Sequence, residues 1–454
     1  MIQLLLWIGL SIIAICSSNI RFSHGGARRR FELKFNQTCL KYDFVRQYID
    51  SLEHPRDKYV IFVYHEAGHS GGGLGDRLGG MITALAFALR TNRTLLIQGD
   101  SSFEESFVPY HPRRGHGFTW KNWDWAKWDR SYASNMIQLK CVNPRPGARH
   151  CALDVNYWDE KKVIKYYGNR AYLCRWMIKP SLGLGDEIKK HLQIERSTDL
   201  YEIGGCLLRL AIWPTEKLWN ALDDSLEPQF RHRNSAHIAL QIGFHFRCGD
   251  SSFIAPKPGE VRTPNPECYY NESLPWKGTV FMDDKSIDSP VDEATCGREL
   301  LYNESMAEKR SGKAHNNIIA YIASDNIDSS NQINSTLGWD FTIKPPQGCH
   351  VDLQTSDMCT LTTSLHWFML GLSDHIIMQG LIKPEHSMFD NSPETAHLSH
   401  LEQPAPISAF SRFAAVYSLG EDSIRYGKGC YGVNRTLLSQ QSHGNWVCDP
   451  RTFY

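Results

Sequence analysis

Short unbroken apolar runs alternate along the chain with longer stretches whose apolar residues recur at helical spacing. Tyr59-Val60-Ile61-Phe62-Val63-Tyr64 is continuous, the profile of a parallel strand buried on both faces. Residues Leu78 to Arg90 follow with helical periodicity, and Thr94-Leu95-Leu96-Ile97 gives a second strand. Strand, helix, strand in that order predicts a parallel sheet and an α/β class. The pattern returns later. His237 to Phe246 reads as a buried strand ending in a polar turn, and Ile318 to Ala323 as another, ending at Ser324-Asp325. Leu361 to Leu372 is an amphipathic helix, His375-Ile376-Ile377-Met378 a short strand, and Ser408 to Tyr417 a new helix. Residues 140–235 mix helical and loop-like patterns in no clear order. Residues 251–317, rich in Pro, Asp, Glu and Asn, read as a surface excursion pinned by disulfides, and residues 380–405 as a surface loop that can gate a site. No repeat or heptad run is present.

A chain of 454 residues is too long for one core and suits two domains. The pattern divides it into a leader (1–20), a stem or first helix (21–56), an N-terminal lobe (57–234), a C-terminal lobe (235–425) and a tail (426–454). Lys+Arg and Asp+Glu are both 49, so the net charge is zero. That argues against broad electrostatic binding to nucleic acid or an anionic membrane, and any anion site must be local.

Leu4 to Cys16 is apolar, short for a membrane span but adequate for a signal-peptide core or a signal anchor. A basic stretch before it is missing, and Arg28-Arg29-Arg30 lies beyond it. Sequons at Asn36, Asn92, Asn271, Asn303, Asn334 and Asn434 agree with entry into the secretory pathway, to the lumen of the endoplasmic reticulum or Golgi. Thirteen cysteines without a C-x-x-C read as disulfides in an oxidising compartment rather than a zinc site. Spacing does not give their pairing. Cys248 reads as a free, buried thiol.

Two stretches carry candidate chemistry. The first is Gln241-Ile242-Gly243-Phe244-His245-Phe246-Arg247-Cys248-Gly249-Asp250. His245, Arg247 and Asp250 follow a buried strand and reach the crevice at the carboxyl end of a sheet, where open α/β sheets bind ligands. An arginine there can grip a phosphate bidentately, or it can simply pair with the aspartate. The second runs from His65 to Arg77 and includes Gly71-Gly72-Gly73-Leu74-Gly75-Asp76. A glycine loop opening a helix behind a strand is an anion-binding arrangement, and equally a flexible connection between packed elements. It is not a P-loop, because Gly-x-x-x-x-Gly-Lys-Ser/Thr is absent. Trp120, Trp123, Trp125 and Trp128 can stack on sugars, though aromatic side chains more often fill cores. Asp-x-Asp, the metal-holding pair of many sugar transferases, occurs nowhere in the chain.

His245-Phe246-Arg247-Cys248-Gly249-Asp250 resembles the His-x-Arg-x-Gly-Asp signature of the fucosyltransferase superfamily, which includes α1,2-, α1,6- and protein O-fucosyltransferases. Gly72 to Arg77, Tyr321 to Asn326 and Ser408 to Ala414 resemble further family segments in the same order, and together they span about residues 60–420. The resemblance implies a GT-B-like fold of two Rossmann-like lobes with the active site in the cleft between them. It also implies GDP-fucose as donor, no metal or other cofactor, and a glycan or protein acceptor. Arg247 would stabilise the leaving diphosphate in a single inverting displacement, His245 would contact the nucleotide, and Asp250 would orient Arg247. Ser408 and Ser411, flanking Phe410 at a helix start, would hold phosphate oxygens. Asp325 and the loop Gly73, Gly75, Asp76 and Arg77 would complete the donor pocket. Glu66, just before the glycine loop, is the candidate catalytic base, with His65, His69 and Asp76 as competitors. Glu66 can equally pair with Arg77 or cap a turn.

The chain departs from the family pattern in two places. Family members often carry an Asp, reading the guanine edge, about eight residues before the Ser/Ala-Asp pair that precedes the last strand. Here that position is His366, before Ser373-Asp374. A neutral imidazole accepts one hydrogen bond, not the paired bonds of a carboxylate. The insertion 380–405 is the second departure. A related transferase using another nucleotide sugar, or a non-catalytic glycan-binding protein of the same fold, is therefore the alternative reading.

Overall fold

A computed structural model describes residues 24–53, 57–63, 73–98, 101–110, 136–141, 161–168, 192, 200–230, 240–246, 290–311, 318–324, 327–338, 342–343, 357–378, 380–381, 405–406, 409–419, 424–426 and 430. In chain order the elements are α1 (His24–Thr38), α2 (Asp43–Glu53), β1 (Tyr59–Val63), α3 (Leu74–Arg90), β2 (Thr94–Gln98), α4 (Ser101–Ser106), β3 (Phe107–Val108), β4 (Met136–Cys141) and β5 (Val163–Gly168). Then come α5 (Leu200–Ala211), β6 (Trp213–Pro214), α6 (Glu216–Phe230), β7 (Leu240–Phe246), α7 (Pro290–Ser311), β8 (Ile318–Ser324), α8 (Ile327–Leu337) and β9 (Thr342–Ile343). The last are α9 (Asp357–Leu372), β10 (His375–Met378), β11 (Gly380–Leu381), β12 (Ala405–Pro406), α10 (Ala409–Ser418) and β13 (Ile424–Tyr426).

The chain is α/β and builds two parallel sheets. The first has the order β2-β1-β5-β4 and the second β13-β10-β7-β8-β9. In each, the first strand lies inside and later strands add on both of its sides. The order therefore reverses between β1 and β5 in one sheet and between β7 and β10 in the other. Such reversals open a crevice outside the carboxyl ends of the strands, because the helices on either side diverge there.

Strand β7 sorts its side chains by the period of two. Ile242, Phe244 and Phe246 face a core made with Ala294, Cys296, Leu300, Ile333 and Leu337 of α7 and α8. Gly243 and His245 face the other side, toward α9 and α10. Helix α7 falls inside the stretch expected to be a surface excursion. Its start is marked by Pro290 at the first position and by Asp292 and Glu293 in the first turn. Its apolar stripe is weak because Gly297 sits where the helix meets the ring of Phe244; a Cβ there would lie 2.6 Å from Phe244 Cζ. The expected pinning is present, since Cys296 is bonded to Cys430. On either side of the other expected loop, β11 and β12 pair antiparallel, and residues 382–404 lie outside the described residues.

Residues 24–53 form two packed helices, with Phe31, Phe35 and Phe44 buried. Phe31 meets Trp213 and Trp219 from one half of the chain and Phe368 and Tyr417 from the other. Cys39 is bonded to Cys206, fastening α1 to α5. The apolar stretch 4–16, the tryptophan cluster and Cys248 lie outside the described residues. Among the described residues no helix is long and apolar enough to cross a membrane.

Candidate functional site

The site is built from the carboxyl end of β7. His245 is the second-last residue of that strand, paired in register with Met378 of β10 on one side and Ala323 of β8 on the other. It thus sits beside the reversal between β7 and β10. Its imidazole stacks on the ring of Phe410, with centroids 5.2 Å apart and planes at 25°. Phe410 is the second residue of α10, and Ser411, buried, is the third. The first amides of a helix have no acceptor within it, and the helix dipole places partial positive charge there. The strand end and the helix start therefore converge on one polar spot with an aromatic floor. Arg247, the next residue after β7, lies outside the described residues, as do Asp250, Asp325, Ser408 and Glu66.

The first sheet offers a matching arrangement. Strand β1 borders the reversal with β5, and the chain then reaches Gly73, which caps α3 with extended backbone and no side-chain bond. The helix starts within the glycine segment, four residues before the periodic stretch read from Leu78. Its first internal bond runs from the Arg77 N–H to the Gly73 carbonyl at 3.2 Å. The Leu74, Gly75 and Asp76 amides precede that bond and have no acceptor within the helix. Arg77 is 1% exposed, so its guanidinium is turned into the protein beside the helix start. The side chain of Asp76 is outside the described residues. Helix α3 packs directly on α10, joining the two helices that open at the two reversals.

His366 is buried in α9, which packs on β7, β8 and α10. The Ser373-Asp374 pair that follows lies at the amino end of the sheet. The Asp374 N–H donates to the Gln241 carbonyl at 2.8 Å, and the Gln241 N–H donates to Asp374 Oδ2 at 3.0 Å. A crossover helix runs back against the strands. Eight residues back from Asp374 at 1.5 Å each is about 12 Å. Four residues along β7 from Gln241 to His245, at about 3.3 Å each, is about 13 Å. The two histidines therefore stand at about the same height along the sheet.

Sequence reasoning missed Arg209. It belongs to α5, inside the stretch whose order was not readable, and is fully buried. A lone arginine in the otherwise apolar Leu207-Leu208-Arg209-Leu210 is the signal that was present. Among the described residues no cluster of His, Cys, Asp or Glu is placed to hold a metal ion.

No family model matches the chain, and no curated protein matches it significantly. The chain is similar to fucosyltransferases of known structure. One is FUT1 of Arabidopsis thaliana, a mutant in complex with GDP, at 14% identity and a TM-score of 0.44, covering 88% of this chain and 78% of that one. NodZ, an α-1,6-fucosyltransferase co-crystallised with GDP, shows 13% identity and a TM-score of 0.38, covering 84% and 99%. NodZ from Bradyrhizobium in another crystal shows 12% identity and 0.37 over the same shares. With TM-scores below 0.5, the functional reading rests on the residues of this chain.

Proposed function

We propose that the chain is an inverting, metal-independent glycosyltransferase that moves L-fucose from GDP-fucose to a glycan or glycoprotein acceptor. The observation that supports this most is the stacking of His245 under Phe410. It sets the start of α10 beside the strand end from which Arg247, Gly249 and Asp250 continue. In this reading Arg247 grips the diphosphate and neutralises charge as the leaving oxygen departs. Ser408, Ser411 and the first amides of α10 hold phosphate oxygens, and Asp250 orients Arg247. His245 and Phe410 support the nucleotide, with His366 at its base. Gly73, Gly75, Asp76, Arg77 and Asp325 close the donor pocket in a cleft between two GT-B-like lobes. Glu66 takes the acceptor's proton. The disulfides Cys39–Cys206 and Cys296–Cys430 support a lumenal location in the secretory pathway, with residues 4–16 as signal or anchor.

The test offers labelled GDP-fucose and other labelled nucleotide sugars to the purified protein with glycan and protein acceptors. Label should pass from GDP-fucose to at least one acceptor. Transfer from a different nucleotide sugar alone would favour the second reading, which His366 supports because one neutral imidazole reads guanine poorly. Neither transfer nor donor hydrolysis would leave a binding protein and overturn the proposal.

A further inference from the structure

Helix α10 opens at the candidate site with its first turn and is gripped at its last. Arg209 of α5 does the gripping. Its Nε donates to the Tyr417 carbonyl at 2.7 Å and its Nη2 to the Ser418 carbonyl at 3.2 Å. These carbonyls belong to the last turn of α10, where acceptors have no partner within the helix. The remaining Nη1 donates to the Phe31 carbonyl of α1 at 3.0 Å. The guanidinium lies 4.0 Å from the Phe31 ring centroid and 5.2 Å from that of Tyr417. Burial lowers its pKa to about 9, which still leaves it charged at neutral pH. Two further contacts hold the same turn. The Tyr417 hydroxyl, kept neutral by burial, donates to the Ile212 carbonyl at 3.1 Å. Gly205 lets the Val416 carbonyl approach so closely that a Cβ there would lie 2.5 Å from it.

The grip reaches the strand as well. Arg30, next to Phe31, pairs with Asp374 at 3.1 Å, and Asp374 is bonded to Gln241 of β7. Gln241 is four residues before His245 on that strand. The two members of the aromatic stack, His245 on β7 and Phe410 on α10, therefore both trace back to the joint between Arg209 and Phe31. From Phe410 to Tyr417 is about 10 Å along a helix, short enough for a rigid helix to carry a shift of one end to the other.

We propose that Arg209 is a positioning residue for the donor site, fixing the place of Phe410 and Ser411 against His245 through the last turn of α10. The proposal takes its ligand, a guanosine diphosphate, from the functional reading above, but not its geometry. Three carbonyls bonded from Nε, Nη1 and Nη2 use the forked donors of one guanidinium. The test compares wild type with Arg209→Lys and Arg209→Met, at a temperature where circular dichroism shows all three folded. Hydrogen exchange of amides 412–415, the first that are bonded within α10, should quicken at least tenfold, while amides of β5 in the other sheet keep wild-type protection. The Kd for GDP should rise about tenfold. Where the Arg209 variants do not fold, Tyr417→Phe loosens the same turn without disturbing a buried charge, and should quicken the same amides about threefold. Folded variants with wild-type exchange at 412–415 would overturn the proposal. A wild type that binds no GDP would instead refute the donor reading, and the exchange measurement, needing no ligand, would still decide the positioning role.

Discussion

At Gly243 the signature strand packs against the end of α9 with no room for a side chain, and Gly243→Ala tests how tightly the site is built. A Cβ there would lie 2.7 Å from Ser373 Oγ, 2.9 Å from Leu370 Cδ2 and 3.3 Å from Ser373 Cβ. Contacts that short force something to move. The strand cannot retreat, because β7 is hydrogen-bonded on both edges and its opposite face is packed. The helix end is also held, by Ser373 Oγ donating to the Met369 carbonyl at 3.0 Å and by Asp374. Overpacking of this kind costs about 1–3 kcal/mol. Losing glycine's freedom in the unfolded chain returns about 0.4–1 kcal/mol. The net expectation is a loss of about 1–2 kcal/mol, read as a lower urea midpoint with an unchanged m-value. Adding Ser373→Ala removes the nearest atom and should recover part of the loss, with a coupling above about 0.5 kcal/mol. An unchanged or raised midpoint in the single variant would refute the reasoning.

Other expectations follow from the same framework. Replacing Cys39 and Cys206 by Ala releases α1 from α5 and should cost about 2–5 kcal/mol in denaturant unfolding; no loss would mean that Phe31 and its aromatic neighbours hold α1 unaided. Glu66→Gln should slow transfer and flatten the acid side of the pH profile, because a carboxylate base is lost as pH falls through its pKa; wild-type turnover would return the assignment to His69. His366→Asp should tighten GDP binding by about 1.5–3 kcal/mol if that position reads the guanine edge, and calorimetry showing no gain would place base reading elsewhere.

The strands were legible because a parallel strand covered on both faces must be continuously apolar. Tyr59–Val63, Ile318–Ser324 and His375–Met378 stand within a residue of where the pattern puts them. Helix α7 was not, because Gly297 replaces an apolar side chain where the helix meets Phe244. Helix α1 was one of the two readings, stem or first helix, that the sequence left open for residues 21–56, and Ala27, Phe31 and Phe35 share the helical face that decides for the helix. His245, Phe410 and Ser411 were named from motifs, but their meeting depends on where β10 and α10 dock, which no local pattern encodes. The reversals of strand order are likewise tertiary. β5 pairs on the far side of β1 from β2, and only that places the glycine segment at a crevice. Arg209 was hidden because its partners are carbonyls, which every residue carries.

The central claim is that Arg247 stabilises the departing diphosphate without a metal. It is tested most directly by following labelled fucose from GDP-fucose to acceptor in excess EDTA, with wild type and Arg247→Lys side by side. Wild-type transfer should persist in chelator, and the lysine variant should lose most activity while keeping its melting temperature, because an ammonium cannot make the bidentate grip. Activity that vanishes with EDTA and returns with manganese, or near-normal turnover in Arg247→Lys, would contradict the account.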